Sequence, residues 1–459
     1  MKPPLEFKSR IDKFFVVCIG VLLAFSGIYI APLFFALTLL FLGILGLAVM
    51  PRRPDGLAVM LLLNIVYWLF LVVWKTPMEK IFSYDFLRWD FRGIFAYLVI
   101  IAFGFVRIPG MGRKNLEKLL ACLIVPASFI SFLGVINLLA LGLSNPAHSY
   151  FSKYFTVKIL FDTFWFYGFL RTHETTGAYY SIASLLALAL YFTGEYSRKI
   201  KLSLLLGYSL CFWGLVGSKA RIFLGSFCVS LAVLGAFLFF QYVMKKHKPE
   251  ILRIYSEKAV VLFFISLLAF ITFPGADDRM LITMSYLNNK YLHVMVDKLP
   301  AEQPVKDITT GTISDRFIYY KAGLELFQSH PVFGGGIGSF PAQLRKHKKE
   351  LQVSFEEALA HGHSHNSYIH IAAEMGAFGF LLFFGFWVMV FVKTLKQWKY
   401  FANRNLDFES VFCASVFSII IGLMAASFFD HTLWSPQIMI STNALIGISI
   451  YGMTPGQDS

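Results

Sequence analysis

Residues 56–74 read GLAVMLLLNIVYWLFLVVW, an apolar run without a single charged side chain. Because a transmembrane helix needs about 20 predominantly apolar residues, this run predicts a membrane span. Similar runs recur along the whole 459-residue chain, in which 57% of residues are hydrophobic and only 15% are charged. Ordinary globular proteins have about 25% charged residues. The sequence therefore predicts an all-α polytopic membrane protein and not a set of soluble domains.

Apolar runs of this kind divide the chain into about 12 predicted transmembrane helices. The predicted spans lie near residues 14–30, 32–50, 56–74, 93–107, 119–143, 175–193, 202–217, 222–244, 259–274, 371–392, 410–428 and 435–453. Helices 1–9 fall within residues 1–274, and helices 10–12 fall within residues 365–459. Residues 275–364 form a long connecting loop, which favours a functional role because structureless loops of this length are uncommon.

The net charge of +14 could indicate a nucleic-acid partner, but its placement argues otherwise. If the N-terminus is cytoplasmic, the loops on that side carry 22 Lys and Arg residues, and the short loops opposite carry 9. Cytoplasmic loops of membrane proteins are enriched in Lys and Arg. We therefore expect a multi-pass inner-membrane protein surrounded by lipid, with both termini cytoplasmic, the long loop periplasmic and no nucleic acid bound.

Within the long loop, the segment from Ser314 to His330 predicts a helix with an apolar stripe. Ser314 or Asp315 can serve as its N-cap, and Pro331 should end it. The glycines that follow, at positions 334, 335, 336 and 338, predict a flexible turn. This GGGIGS run does not fit the dinucleotide pattern GxGxxG and no strand precedes it, so no nucleotide site is expected.

Several unusual polar residues fall on the predicted outer face. They come from four separate connections and are Arg171, Arg221, Arg316 and the pair Asp430–His431. Each alone has an ordinary explanation, since an arginine at a helix end commonly reaches the interface. An acid and an imidazole in the short, apolar FFDHTLW turn are more costly. Together these residues predict a shared polar site at the outer membrane interface.

Three histidines alternate at positions 361, 363 and 365, directly before the tenth predicted span. They could form a polar start to that helix, bind zinc through imidazole nitrogens, or exchange protons at the membrane surface. No cysteine or carboxylate cluster lies nearby at ligand spacing. We therefore expect neither a metal site nor a cofactor, and we expect a histidine with a role in proton transfer.

This set of residues suits one kind of chemistry. Guanidinium groups bind phosphate oxygens in a bidentate fork and stay charged, so the arginines fit a diphosphate. A nearby histidine can accept a proton from an attacking hydroxyl near neutral pH. Together they predict group transfer from a lipid diphosphate to an acceptor hydroxyl without a metal.

Two stretches resemble the O-antigen ligase and O-antigen polymerase superfamily of bacterial inner-membrane glycosyltransferases. They are SDRFIYYKAGLELFQSHPVFGGGIGSF (314–340) and HSHNSYIHIAAEMGAFG (363–379). The ligase signature is His and Asn, nine residues, then Gly-x-x-Gly-Thr-Gly. Here His365-Asn366 precedes nine residues and Gly376-Ala-Phe-Gly379, but Phe380 and Leu381 replace the final Thr-Gly. GSKAR (217–221) resembles the Ser-Arg segment that opens the shared domain, and the resemblance extends from about Gly217 to the C-terminus.

The resemblance implies a metal-independent, inverting glycosyltransferase. It would move a glycan from undecaprenyl diphosphate to a sugar of the lipid A core on the periplasmic side. His365 would be the essential base, and Arg221 and Arg316 would hold the diphosphate. The residues assigned supporting roles are Asp430, which would orient the histidine, together with His363, Arg171 and His431.

Three alternatives remain open at this point. The polymerase branch shares the donor and the same chemistry but uses a second lipid-linked glycan as acceptor. A protein-glycosylating relative is a further enzyme. An exporter or channel for an anionic substrate would also use arginines in a bundle of 12 spans, although few charges of this sequence fall at mid-span depth.

Overall fold

The computed structural model describes much of the chain. The described residues are 17–24, 55–76, 97, 113–143, 157–160, 163–166, 173–193, 196–218, 220–244, 266, 308–351, 363–404 and 406–453. The helices within them are α1 Gly56–Lys75, α2 Arg113–Leu143, α3 His173–Phe192, α4 Arg198–Gly217, α5 Arg221–Met244, α6 Ile308–Ser329, α7 Phe340–Leu344, α8 Ser367–Asn403, α9 Asp407–Ala426 and α10 Pro436–Gly447. Short 3₁₀ turns follow at Arg345–His347 and Thr432–Trp434, and a π-helical turn, Ile448–Gly452, extends α10.

Seven of the described helices are long and apolar enough to cross a membrane, namely α1, α2, α3, α4, α5, α8 and α9. Each lies at a predicted span, and α2 continues through Pro126 as a single helix. The last predicted span, 435–453, forms α10 and its π turn, which is apolar but shorter. Four other predicted spans (14–30, 32–50, 93–107 and 259–274) lie outside the described residues, except for helical residues 17–24, Tyr97 and Ser266. The polytopic helical class is thus confirmed, and the count of 12 stays a prediction.

Two local expectations were wrong. Helix α6 begins at Ile308, not at Ser314 or Asp315. The polar and β-branched residues before Ser314 have weak helix propensity, so the sequence placed the start of the helix too late. The structure also contains a β-hairpin that the sequence did not predict. Strand β1, Val157–Leu160, pairs antiparallel with β2, Thr163–Phe166, in the connection between α2 and α3.

Helix α3 is the most buried of the spans that the structure describes, and it packs against α2, α4, α5 and α9. It is surrounded by protein, so it can carry small and polar side chains such as the buried Thr176, Ser181 and Ser184. A methyl group on Gly177 would lie 2.6 Å from the Cβ of Ala220, at the start of α5. Close approach of α3 to α5 therefore depends on the missing side chain, as is common between membrane helices.

Helix α8 is interrupted at Gly376, whose φ of 69° and ψ of −176° are not helical. The glycine-rich turn that follows α6 packs into this interruption. Gly335 N–H donates to Ala373 O over 2.9 Å and Ala377 N–H donates to Pro331 O over 2.8 Å. The predicted turn is therefore present, and its backbone satisfies groups that the kink in α8 leaves without helical partners.

The side chain of Glu374 also holds the glycine-rich turn in place. Its buried carboxylate accepts hydrogen bonds from the backbone N–H groups of Gly338, over 2.8 Å, and Phe340, over 3.1 Å. From α1, Lys75 Nζ donates to Gly334 O over 2.6 Å. The loop helix α6, the turn and the start of α8 thus form one connected body, which carries the candidate site.

A buried histidine also joins α6 to the segment beyond α7. His347 Nε2 lies 2.7 Å from Glu325 Oε2, and its Nδ1 lies 2.7 Å from Glu350 Oε1. Burial opposes a charge on this imidazole, but hydrogen bonds and charge from Glu350 and Glu325 outweigh that effect and raise the pKa of His347 above its ordinary value. Lys321 also donates to Glu350, over 3.0 Å.

This arrangement predicts that the segment 340–351 is less firmly held at higher pH. A raised folded-state pKa means that the contribution of His347 to stability is fully present below its unfolded pKa of about 6.5. The contribution is lost as pH rises through the folded-state pKa. Hydrogen–deuterium exchange, corrected for intrinsic rates, should show falling protection of residues 340–351 on that rise, and His347→Gln should remove the trend. Equal pH trends in both proteins would contradict the prediction.

Candidate functional site

The start of α8 is fixed by Asn366, the residue that follows His365. Its Oδ1 accepts hydrogen bonds from the backbone N–H groups of Tyr368, over 2.9 Å, and Ile369, over 3.0 Å. Its Nδ2 donates to Phe428 O over 3.0 Å. The Asn of the motif is therefore an N-cap that also holds the turn after α9.

Ser367 adds further hydrogen bonds to that turn and so positions Asp430. Its backbone N–H donates to Ser427 O over 2.9 Å, and its hydroxyl donates to Asp430 O over 3.2 Å. Two segments far apart in sequence thus meet at one point. The meeting brings the histidine motif against the FFDHTLW turn.

His365 occupies the centre of this meeting point. Its φ of 52° lies in the left-handed region, which is uncommon for residues other than glycine. Its Nδ1 lies 3.9 Å from Asp430 Oδ1, and only 13% and 11% of the two side chains are exposed. The ring stacks on Tyr319, with centroids 5.2 Å apart. Backbone strain at a half-buried imidazole beside a carboxylate is typical of functional sites.

His365 is the first of four imidazoles that lie in a row. The His363 ring is 4.6 Å from that of His365 and 4.6 Å from that of His431, with which it stacks. The His431 ring lies 4.5 Å from His370, whose Nε2 is 3.6 Å from Glu374 Oε2. Burial, reinforced by neighbouring His370 and His365, lowers the pKa of His431 well below its ordinary value. His431 is therefore neutral at neutral pH.

Arg221 and Arg316 form the second half of the site. Arg221 is the first residue of α5, and Arg316 lies on α6. Their guanidinium groups are close enough for their charges to repel. Among the side chains that the structure describes, neither arginine forms an ion pair with a carboxylate. This leaves two adjacent positive charges available to an anionic ligand.

Two tyrosines that were not predicted as site residues connect the arginines with the histidines. Arg316, Tyr319 and Tyr320 occupy positions i, i+3 and i+4, so they share one face of α6. Tyr320 donates to Phe428 O over 3.2 Å. Burial raises the pKa of Tyr320, Arg316 opposes that rise and Asp430 adds to it. Tyr320 therefore interacts with charges from both halves, and its i+4 spacing from Arg316 was the available signal.

The predicted site residues thus fall into two neighbouring groups. His363, His365, Asp430 and His431 form the first, and Arg221 and Arg316 form the second. His361 and Arg171 lie outside the described residues. The roles assigned to all of these residues remain predictions.

The expectation that no carboxylate lies at ligand distance from the histidines was wrong. The sequence offered no carboxylate close to the histidines, but the fold supplies Asp430 from the turn after α9. His363, His365 and Asp430 each present a ligand atom, and these atoms all lie within 4.8 Å of one another. Whether activity requires a metal is a separate question, on which the prediction of metal independence still stands as a prediction.

Residues 182–384 match the sequence model of the O-antigen ligase family. Over these residues the chain is similar to O-antigen ligases. This confirms the resemblance, although the match begins before Gly217 and ends before the C-terminus. Arg221, Arg316 and His365 lie within the matched residues, and Asp430 lies beyond them. No curated protein matches the chain in sequence.

The match supports a general class for the chain. Together with the seven apolar helices, it supports a multi-pass membrane protein similar to glycosyltransferases of the O-antigen ligase or polymerase type. The family also implies lipid-linked glycans as substrates. The identity of donor and acceptor and the reaction path belong to the proposal below.

Proposed function

We propose that this protein transfers an O-antigen-type glycan from undecaprenyl diphosphate to a sugar hydroxyl of the lipid A core. The observation that carries this proposal is the arrangement of two charge centres in one site. Arg221 and Arg316 are close enough for their charges to interact, and neither forms an ion pair with a carboxylate among the described residues. Tyr320 interacts with both Arg316 and the Asp430 that faces His365.

The arginine pair is the binding site for the donor's diphosphate. Two neighbouring positive charges repel, and a polyanion between them converts that repulsion into attraction. Each guanidinium can hold phosphate oxygens through two parallel hydrogen bonds. Because Arg221 and Arg316 come from different helices, they can approach the diphosphate from two directions.

The reaction is a single displacement at the anomeric carbon. The acceptor hydroxyl oxygen forms a bond to that carbon as the bond to the diphosphate oxygen breaks, so the configuration inverts. His365 takes the hydroxyl proton, and the diphosphate leaves with the electron pair. The arginines stabilise the charge that develops on the leaving group. Asp430, 3.9 Å from His365 Nδ1, orients the ring and favours the imidazolium that forms, without itself accepting the proton.

The site faces the periplasm, and both termini face the cytoplasm. This orientation rests on the distribution of 22 Lys and Arg residues on one side against 9 in the short loops opposite. The protein belongs to the bacterial inner membrane, where lipid-linked glycans reach the outer face. No metal or cofactor takes part in the transfer.

A transfer assay separates the ligase from the polymerase. Purified protein in lipid nanodiscs is given a lipid-linked glycan with either lipid A-core or a second lipid-linked glycan as acceptor, and the masses of the products are measured. We expect the lipid A-core to gain one glycan. Growth of the lipid-linked glycan alone would assign the polymerase reaction, and no transfer to either acceptor would contradict the proposal.

The arginine pair makes a separate prediction. Arg221→Ala and Arg316→Ala should each lower transfer by about 10²–10³-fold, the range for loss of a group that stabilises developing charge. Lysine at either position should restore only part of that loss, because lysine keeps the charge but lacks the planar fork. Rates and donor affinity are measured for both variants at each position.

Arg113 provides the matched control. It lies at the start of α2 and pairs with Glu117 over 2.9 Å, so Arg113→Ala should leave transfer unchanged. Full activity of both lysine variants would show that a generic positive charge suffices. Unchanged activity in the alanine variants would remove Arg221 and Arg316 from the site.

A further inference from the structure

The cluster of His363, His365 and Asp430 has the composition of a metal site as well as of a general base. One ligand atom of each residue lies within 4.8 Å of the others, and His365 Nδ1 is 3.9 Å from Asp430 Oδ1. Asp430 is buried and the two histidines are half-buried. The three donors therefore already converge on a small volume shielded from most solvent.

We propose that a divalent zinc ion binds His363, His365 and Asp430 reversibly and thereby blocks glycan transfer. Three protein ligands with one open position are typical of zinc sites that exchange a ligand. Two imidazoles with one carboxylate favour zinc over calcium or magnesium, which prefer all-oxygen sites. Zinc bonds of about 2.0–2.1 Å in tetrahedral geometry separate donors by about 3.3 Å, so the cluster must contract by at most about 1.5 Å.

The neighbours of the cluster explain why the metal would be dispensable and exchangeable. His431 stacks on His363 and so holds that ring beside His365. Arg316, by contrast, acts on the same Tyr320 as Asp430 does, and its positive charge disfavours a bound cation. Opposing influences of this kind give a site that fills when zinc is plentiful and empties when a chelator competes.

Inhibition follows from the chemistry of imidazole. A neutral imidazole has a single acceptor nitrogen, because its other nitrogen carries the proton. Zinc bound to that nitrogen of His365 occupies the lone pair that would accept the hydroxyl proton. The metal-free protein is then the active form. This step rests on the proposed function, whereas zinc binding itself does not.

Binding is tested on the full-length protein in nanodiscs, stripped with chelator and titrated with Zn²⁺ by calorimetry. We expect one zinc per chain, and Co²⁺ in its place should give the absorption of a low-coordinate site. Asp430→Asn and His363→Gln should weaken binding by more than about tenfold, since even outer-shell changes cost 10–100-fold. Asp430→Glu, which keeps the carboxylate, should retain binding and guards against a folding defect.

His330→Gln is the matched control, because this exposed histidine lies outside the cluster and its loss should not alter zinc affinity. Absence of saturable binding, or equal affinity in the control and the two cluster variants, would overturn the site. Zinc should abolish transfer by the wild type, and chelator should restore it. Bound zinc that leaves transfer unchanged or raises it would overturn the inhibition. A metal-free protein without any transfer would contradict the proposed function while leaving the binding result intact.

Discussion

His365→Ala should abolish transfer while the protein remains folded and binds the lipid diphosphate. Loss of a positioned general base typically costs about 10²–10⁴-fold in rate. The donor site should survive, because Arg221 and Arg316 lie on α5 and α6 and not on the segment that carries His365. His365→Gln separates two roles of the ring. Glutamine can keep a hydrogen bond to the acceptor hydroxyl but cannot take its proton, so it should be nearly as inactive as alanine.

Single-turnover transfer and donor binding are measured across pH for these variants. Since φ at position 365 is positive, His365→Asn, which tolerates that conformation better than most residues, serves as the folding control. Near-wild-type turnover of the Gln variant would eliminate the assignment of a base. Loss of donor binding in every variant would instead place His365 in the diphosphate site.

The alternative role for His365 is to position the start of α8. In the structure, the next two residues of the motif do this. Asn366 caps the helix through Tyr368 and Ile369, and Ser367 ties the turn that carries Asp430. The side chain of His365 instead faces Asp430 and stacks on Tyr319. Within the motif, Asn366 and Ser367 hold the backbone, and we assign the chemistry to His365.

Much of the fold could be predicted from the sequence because a membrane imposes length and composition on each span. Helices α1, α3, α4 and α5 begin and end within four residues of their predicted bounds. Helix α8 is far longer than the predicted 371–392, since its last turns carry lysines beyond the apolar run. The start of α6 was missed because helix propensity is a weak guide to where a helix begins.

The site could be predicted only in part. Positively charged and titratable side chains on one face indicated that Arg221, Arg316, His365 and Asp430 would share a region. No sequence periodicity relates residues 363–367 to the turn after α9. The sequence therefore could not predict that Asp430 lies close enough to His363 and His365 to bind the same ion. Tyr319 looked like an ordinary apolar position of a helix, and its stacking on His365 depends on how α6 packs against α8.

The glycines of the motif allow a particular backbone conformation and have no direct role in the chemistry. Gly376 and Gly334 face each other where the turn enters the kink of α8. A methyl group on Gly376 would lie 2.3 Å from Val332 O, and one on Gly334 would lie 2.3 Å from Glu374 O. These contacts are with backbone atoms, which cannot rotate away as the end of a side chain can. Both glycines also have φ values of 69°, which side chains disfavour.

Gly376→Ala should therefore destabilise the protein by at least about 3 kcal/mol, combining a backbone conformation nearly restricted to glycine with a clash in a packed region. It should also lower transfer, because the same kink positions His370, the last member of the histidine row, and its neighbour Glu374. The apparent melting temperature in nanodiscs should fall by several degrees. Gly225→Ala on α5 is the control, since its added methyl group meets nothing within 4 Å and should change stability by less than about 1 kcal/mol. Equal melting temperatures for the two variants would show that α8 can close its kink without glycine.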